Sequence, residues 1–177
     1  LMASEGPAPI LNPKTYVSPS GKYALAVNPS DLHGRGSAEY AFSRNGETLW
    51  SNRLSFTLWD ARLTDSGITV GYAYSHGWRG FSEAGYKAGM GDFSVVILSA
   101  EGEVIRQDIQ PREQSLFLDT PPKPLAIGIM LDEQANQALI RLADPDVNRN
   151  IEQWRIYDLL DGHLADALSP KIQPTNK

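Results

Sequence analysis

The most restrictive feature of the sequence is a pair of hairpin turns that recurs three times along the chain. The second turn of each pair contains a glycine, at positions 46, 102 and 162, so successive second turns are 56 and 60 residues apart. Glycine adopts the positive φ of tight turns, and Asn-Gly is the strongest short hairpin signal. The first turns are Ser20-Gly21, Ser66-Gly67 and Ala135-Asn136, and the second turns are Asn45-Gly46, Glu101-Gly102 and Asp161-Gly162. This repeat predicts three consecutive units of four strands each.

Between the turns, apolar and polar residues alternate with period 2, which is typical of half-buried β-strands. β-branched and aromatic residues are concentrated in these stretches, as in Ile68–Tyr74 and Phe93–Leu98. We therefore predict an all-β fold of three consecutive four-stranded antiparallel modules. An antiparallel β-sandwich is the alternative, because regular turn spacing is typical of both architectures. A helix competes with a strand over Asn150–Leu160, and we favour the strand there.

The predicted organisation is a single all-β domain over residues 13–170. Flexible segments are expected at 1–12 and 171–177. The repeat units cover about 13–57, 58–118 and 124–170. The proline-rich stretch Thr120–Pro124 is expected to be a stiff linker before the third unit, because proline cannot donate to a strand ladder and favours extended backbone.

Two segments resemble a known family. The stretch Ser18-Pro19-Ser20-Gly21-Lys22-Tyr23-Ala24 resembles the Ser-Pro-Asp-Gly-Lys hairpin of bacterial β-propeller repeats. The segment Trp154–Gly162 is similar to the closing strand and turn of a WD-like or quinoprotein-like blade. The resemblance implies that each repeat unit is a propeller-blade-like module.

Composition excludes several classes of protein. The chain has 177 residues, a net charge of -5 and no cysteine. The acidic balance argues against a nucleic-acid binder, which needs clustered Lys and Arg. No apolar run reaches the ~18 residues of a transmembrane helix, so no membrane span is expected. Residues 1–9 have no basic or apolar segment of a signal peptide. A chain without cysteine suits a reducing cytosol or a bacterial extracytoplasmic space, and we favour the extracytoplasmic location, periplasmic or secreted.

The segment 76–91 is a long, glycine-rich connection between two predicted strands. Long loops without secondary structure are uncommon in compact domains and often carry function. Exposed aromatic side chains beside cations are common at binding surfaces. The candidate ligand-binding residues are Trp78, Arg79, Phe81, Tyr86 and Lys87. The alternative is that the aromatic side chains of this segment plug one end of the sheets, because large aromatics are mostly buried.

Oxygen-bearing side chains alternate over 144–150, as in the first half of a calcium loop. The candidate metal ligands are Asp144, Asp146, Asn148 and Asn150. Such residues bind hard cations such as Ca²⁺, but Arg149 stands where a calcium loop needs glycine and Arg155 where it needs a bidentate glutamate. A polar connector is the alternative, since Asp, Asn and Pro are common in turns. We expect no tight metal requirement and no cofactor.

Catalytic signals are weak. Ser30, Asp31 and His33 are close in sequence, but a hydrolytic triad needs a defined spatial order, and no Gly-x-Ser-x-Gly or His-Glu-x-x-His motif occurs. We therefore predict no catalytic residue and a non-enzymatic binding or assembly module that presents loops from a β scaffold. The alternative is a hydrolase-type enzyme, or a fragment of one, with loop-borne catalytic residues. Since three modules cannot close a propeller ring, the first and last are each expected to leave one face or edge unpaired. A protein partner or self-association is therefore expected.

Overall fold

The computed structural model describes residues 10–74, 93–110, 125–143 and 152–168. Within these residues the chain forms twelve β-strands. They are Lys14–Val17 (β1), Tyr23–Pro29 (β2), Ala38–Arg44 (β3), Glu47–Leu54 (β4), Asp60–Leu63 (β5), Thr69–Tyr74 (β6), Phe93–Leu98 (β7), Val104–Gln110 (β8), Leu125–Asp132 (β9), Gln137–Ala143 (β10), Glu152–Asp158 (β11) and Leu164–Leu168 (β12). In this part of the chain no helix is long and apolar enough to cross a membrane.

The strands form three open antiparallel sheets, and every sheet uses four strands that are consecutive in sequence. Sheet 1 contains β1–β4, sheet 2 contains β5–β8, and sheet 3 contains β9–β12. The predicted fold class, three consecutive four-stranded antiparallel modules in an all-β chain, is confirmed. Strand β11 pairs with β10 over its whole length, so the helix alternative for this segment is wrong.

The second hairpin of each sheet follows the predicted turn chemistry. Asn45 and Gly46 have φ values of 50° and 84°, and Arg44 pairs with Glu47 across them. Two positive φ angles in a two-residue loop match the twist of the flanking strands. All three second hairpins also contain a β-bulge, whose extra residue is the third after the turn glycine. These extra residues are Leu49, Ile105 and Ala165.

The core consists of two apolar clusters that lie between successive sheets. The first joins sheets 1 and 2, and the second joins sheets 2 and 3. Sheet 2 is therefore covered on both faces, which explains why Phe93–Leu98 is buried along its whole length instead of alternating. At the connection from sheet 1 to sheet 2, the Tyr40 hydroxyl donates to the Phe56 carbonyl at 2.8 Å and accepts from the Leu58 N–H at 3.0 Å.

Corresponding elements of the three sheets lie next to one another. The first strands contact in series, β1 with β5 and β5 with β9. The first turns are hydrogen-bonded in the same series: the Ser20 N–H donates to Asp65 Oδ1 at 2.9 Å, and the Asp65 N–H donates to Glu133 Oε1 at 2.9 Å. The Ser20 hydroxyl also donates to Asp65 Oδ1, and these bonds lower the pKa of Asp65. The sheets thus stack face to face in a common orientation.

Candidate functional site

Both sites predicted from the sequence lie outside the described residues. Trp78, Arg79, Phe81, Tyr86 and Lys87 fall in 75–92, and Asp144, Asp146, Asn148 and Asn150 fall in 144–151. The ligand-binding and metal assignments therefore remain predictions. The described part of the chain presents two outer sheet faces, a cavity and several polar side-chain clusters.

One candidate surface is the face of sheet 1 that points away from sheet 2, here called the first outer face. The strand register places Thr15, Ala26, Ala41 and Ser51 in one row across this sheet. The neighbouring residue Tyr16 is buried against sheet 2, and successive strand residues point to opposite faces, so the row points outward. Because these side chains are short, they help to line a depression of about 310 Å³.

The other candidate surface is the face of sheet 3 that points away from sheet 2, here called the last outer face. Met130, Leu139 and Ile156 form a row across this sheet, and Trp154 lies on the same face. The exposed fraction is 57% for Met130 and 42% for Ile127, the extra residue of a bulge in β9. On this face Met130 is exposed, Leu139, Trp154 and Ile156 are half-buried, and the exposed Arg141 is paired with Trp154. The opposite face of the sheet is buried against sheet 2.

A cavity of about 230 Å³ lies beside the first strands of sheets 1 and 2, with Lys14, Tyr16 and Trp59 in its wall. The Lys14 ammonium lies 3.6 Å from the Asp60 carboxylate and 4.7 Å from the centre of the Tyr16 ring. Burial, and then the charge of Asp60, raise the pKa of Tyr16, so its phenol stays protonated. The cavity is smaller than the ~300–1,000 Å³ pockets of drug-sized ligands, so it suits only a small group.

A cluster of Asp158, Asp161 and His163 occupies the turn between β11 and β12. Among the described residues it is the one group of three potential metal ligands whose atoms lie within 4.8 Å of one another. Asp158 Oδ1 accepts from the Leu160 N–H at 2.7 Å, and Asp161 Oδ1 accepts from the His163 N–H at 2.9 Å. The bonds from His163 lower the pKa of Asp161. Three ligands are fewer than the 6–8 oxygens of a Ca²⁺ site, and these carboxylates already order the turn.

The Ser-Asp-His stretch between β2 and β3 is organised around Asp31. Its carboxylate accepts from Arg35 Nε at 2.9 Å and Nη2 at 2.8 Å, and from the His33 N–H at 3.0 Å. The side-chain hydrogen bonds from Arg35 are the main reason why the pKa of Asp31 is lowered. The Ser30 hydroxyl donates to the Ser37 carbonyl. Asp31 therefore braces its own loop, and its arrangement does not resemble the acid of a hydrolytic triad.

A polar contact ties sheet 2 to sheet 3. The Tyr157 hydroxyl donates to Asp108 Oδ2 at 2.5 Å, and Arg155 Nη1 lies 3.6 Å from the same oxygen. Burial, followed by the hydrogen bond to Asp108, raises the pKa of Tyr157. All three groups are partly or fully buried between β8 and β11, so this network fixes the relative position of the two sheets.

Comparisons with known proteins give a structural similarity and no match in sequence. No protein-family model matches the chain, and no curated protein is similar to it in sequence. Among solved structures, the chain is similar to Kuenenia stuttgartiensis hydrazine synthase, with 16% sequence identity and a TM-score of 0.47. The alignment covers 82% of this chain and 39% of the hydrazine synthase chain. A similarity at this level carries no argument about function.

The sequence predicts an unpaired face or edge on the first and last modules, but the residues that form the two outer faces were not identified from it. The sequence pattern that could have indicated the first outer face is the alternation of alanine with larger residues in Ala24–Val27, because it places small residues on one face of the strand. The signal for the last outer face is Met130 and Leu139, apolar residues at positions that alternate with the buried Ile129 and Ile140. Period 2 identifies the two faces of a strand, but it does not tell which face has no neighbouring sheet.

Proposed function

We propose that the chain is a non-enzymatic binding and assembly module built from three β-propeller-type blades. Each sheet is a four-stranded antiparallel meander, the form of a propeller blade. The series of contacts between first strands supports a radial arrangement, because the first strands lie together at one edge of the stack. Such a scaffold holds its turns and outer faces rigidly for contact with another protein.

The observation that carries this proposal is the exposure of the last outer face. Contiguous apolar residues at a soluble surface mark contacts with other proteins or ligands. The row of Met130, Leu139 and Ile156 crosses the first three strands of its sheet as Tyr16, Leu25 and Phe42 do in sheet 1. The row of sheet 1 is buried against sheet 2, yet Met130 is 57% exposed. The segment 76–91, with Trp78, Arg79, Phe81, Tyr86 and Lys87, is proposed as a further contact loop on this scaffold.

Light scattering coupled to size exclusion tests the proposal, with the chain as its own binding partner. Over a concentration series, the average mass should rise above 19.5 kDa. Met130→Asp should weaken association about tenfold or more, because it places a charge in an apolar contact. Ile109→Asp is the matched control, since Ile109 is an exposed apolar residue of sheet 2 and lies on neither outer face. A mass of 19.5 kDa at every concentration, with identical behaviour of both variants, would contradict the assembly function.

A further inference from the structure

We propose that the chain forms a head-to-tail dimer, in which the last outer face of each copy packs against the first outer face of the other. The proposal rests on the proposed assembly function. It specifies that a second copy of this chain covers the outer faces, and it specifies the geometry of that contact. Two copies would place six sheets in one closed ring.

The first argument is a contact that recurs between successive sheets. A Cβ added at Gly102 of sheet 2 would lie 2.9 Å from Trp50 of sheet 1, and one added at Gly162 of sheet 3 would lie 2.6 Å from Arg106 of sheet 2. Trp50 and Arg106 are each the fourth residue after the second-turn glycine of their own sheet. In sheet 1 the corresponding glycine, Gly46, has no described heavy atom within 4 Å of an added Cβ. Within the described part of the chain, sheet 1 therefore lacks the neighbour that sheets 2 and 3 have.

The second argument is side-chain size. At the interface between sheets 1 and 2, a row of large residues of sheet 1 packs in one apolar cluster with Ala61 and Val96 of sheet 2, which lie in a row with Gly71. The large row is Tyr16, Leu25, Phe42 and Trp50, and the small row is Ala61, Gly71 and Val96. The last outer face presents a large row, and the first outer face presents a small row above a depression of about 310 Å³. A contact between the last outer face of one copy and the first outer face of another would therefore also combine a large row with a small row.

The charges on the first outer face are compatible with this contact. Glu39 and Arg53 lie in the row beside the small residues and pair with each other at 3.4 Å, with more than half of each side chain exposed. An apolar centre with a polar, solvated rim is the usual anatomy of a protein interface.

The number of copies follows from ring closure. A head-to-tail contact between identical chains makes a ring if the rotation closes and a filament if it does not. Propellers typically have four to eight blades. With three described sheets in each copy, a closed ring reaches this range only with two copies. We therefore expect a particle of about 39 kDa, twice the mass of the 19.5 kDa chain.

Cysteine cross-linking tests the geometry directly, because the natural chain has no cysteine. Ile105, third after the second-turn glycine of sheet 2, would lie 3.2 Å from a Cβ added at Gly162 of sheet 3. The corresponding residue of sheet 3 is Ala165, so it should approach the second turn of sheet 1 in the other copy. Ala165→Cys and Glu47→Cys are prepared as separate variants, mixed at a concentration where light scattering detects the dimer, and treated with a short bismaleimide.

The expected result is a covalent dimer in the mixture and at least about tenfold less in either variant alone. Ala165→Cys mixed with Glu103→Cys is the matched negative control, because Glu103 has the position of Glu47 in sheet 2. A double variant, Leu49→Cys with Glu103→Cys, is the positive control, since it places the same two positions at the interface between sheets 1 and 2.

The outcomes separate this proposal from the proposed function. A dimer that cross-links only in the Ala165→Cys and Glu47→Cys mixture supports the head-to-tail ring. A dimer by light scattering that gives no such product while the positive control reacts, or that cross-links within one single variant, overturns the ring and leaves the assembly function standing. A chain that stays monomeric contradicts both.

Discussion

Replacing Gly102 with alanine tests whether sheets 1 and 2 pack as closely as described. Gly102 has a φ of 87°, a conformation that costs other residues about 1–2 kcal/mol. The added Cβ would lie 2.9 Å from the Trp50 ring. This ring is held in place, because its Nε1 donates to the Ala100 carbonyl at 2.8 Å and it stacks on Phe42 at 5.5 Å. Overpacking costs a further 1–3 kcal/mol or so, giving an expected loss of about 2–5 kcal/mol in unfolding free energy.

Gly36→Ala is the matched control for the Gly102 variant. Gly36 has a φ of 71°, and an added Cβ would meet no described heavy atom within 4 Å. The control should therefore lose only about 1–2 kcal/mol, the backbone contribution alone. Urea titrations followed by circular dichroism, at a concentration where the chain is monomeric, measure both losses. Equal losses in the two variants would refute the close packing of the second turn of sheet 2 on sheet 1.

Tyr40→Phe should lower the unfolding free energy by about 1–3 kcal/mol in the same titrations, because the buried Leu58 N–H loses its acceptor; an unchanged midpoint would argue against that hydrogen bond. Because the pKa of Asp31 is lowered in the folded state, its carboxylate stabilises the fold at a pH above the unfolded pKa of ~3.9. This stabilisation is lost as the pH falls below that value. Thermal melts from about pH 6 to pH 3 should therefore fall less steeply for Asp31→Asn than for the natural chain, and parallel curves would contradict this. Trp78→Ala and Phe81→Ala should barely change stability if 76–91 is a contact loop, whereas a loss of about 3–5 kcal/mol would place these rings in the core.

Local chemistry made the turns and strands predictable. Asn45 and Gly46 tolerate positive φ, and the structure has both of them there. The strand at Phe93–Leu98 was readable from its β-branched and aromatic residues, although its continuous apolar run reflects burial on both faces. At Glu152–Asp158 periodicity left helix and strand in competition. Pairing with β10, a contact that periodicity does not contain, decides for the strand.

The relations between sheets were not predictable, because they depend on residues far apart in the chain. The bulges at Leu49, Ile105 and Ala165 share a position after the turn glycine, yet their sequences have no common bulge signal. The hydrogen bond from Ser20 to Asp65 joins residues that belong to different hairpins. The outer faces are likewise a property of the stack, since Met130 is exposed only because no described sheet follows sheet 3.

The central claim is that the last outer face of one copy meets the first outer face of another, and a methyl signal of Met130 tests it most directly. The chain has three methionines, so selective isotope labelling of their methyl groups gives a simple spectrum, in which Met130→Leu assigns the signal. The labelled natural chain is mixed with an unlabelled Val17→Cys variant that carries a nitroxide. Val17 is 56% exposed on the first outer face. It precedes Ser20 of the first turn by three residues, as Met130 precedes Glu133, so both residues lie at a similar distance from the first turn of their sheet.

Because only the unlabelled copy carries the nitroxide, any effect on the observed signal is intermolecular. The head-to-tail dimer predicts strong broadening of the Met130 methyl signal in the mixture and full recovery when the nitroxide is reduced. An unbroadened Met130 signal, at a concentration where light scattering shows the dimer, would contradict the account.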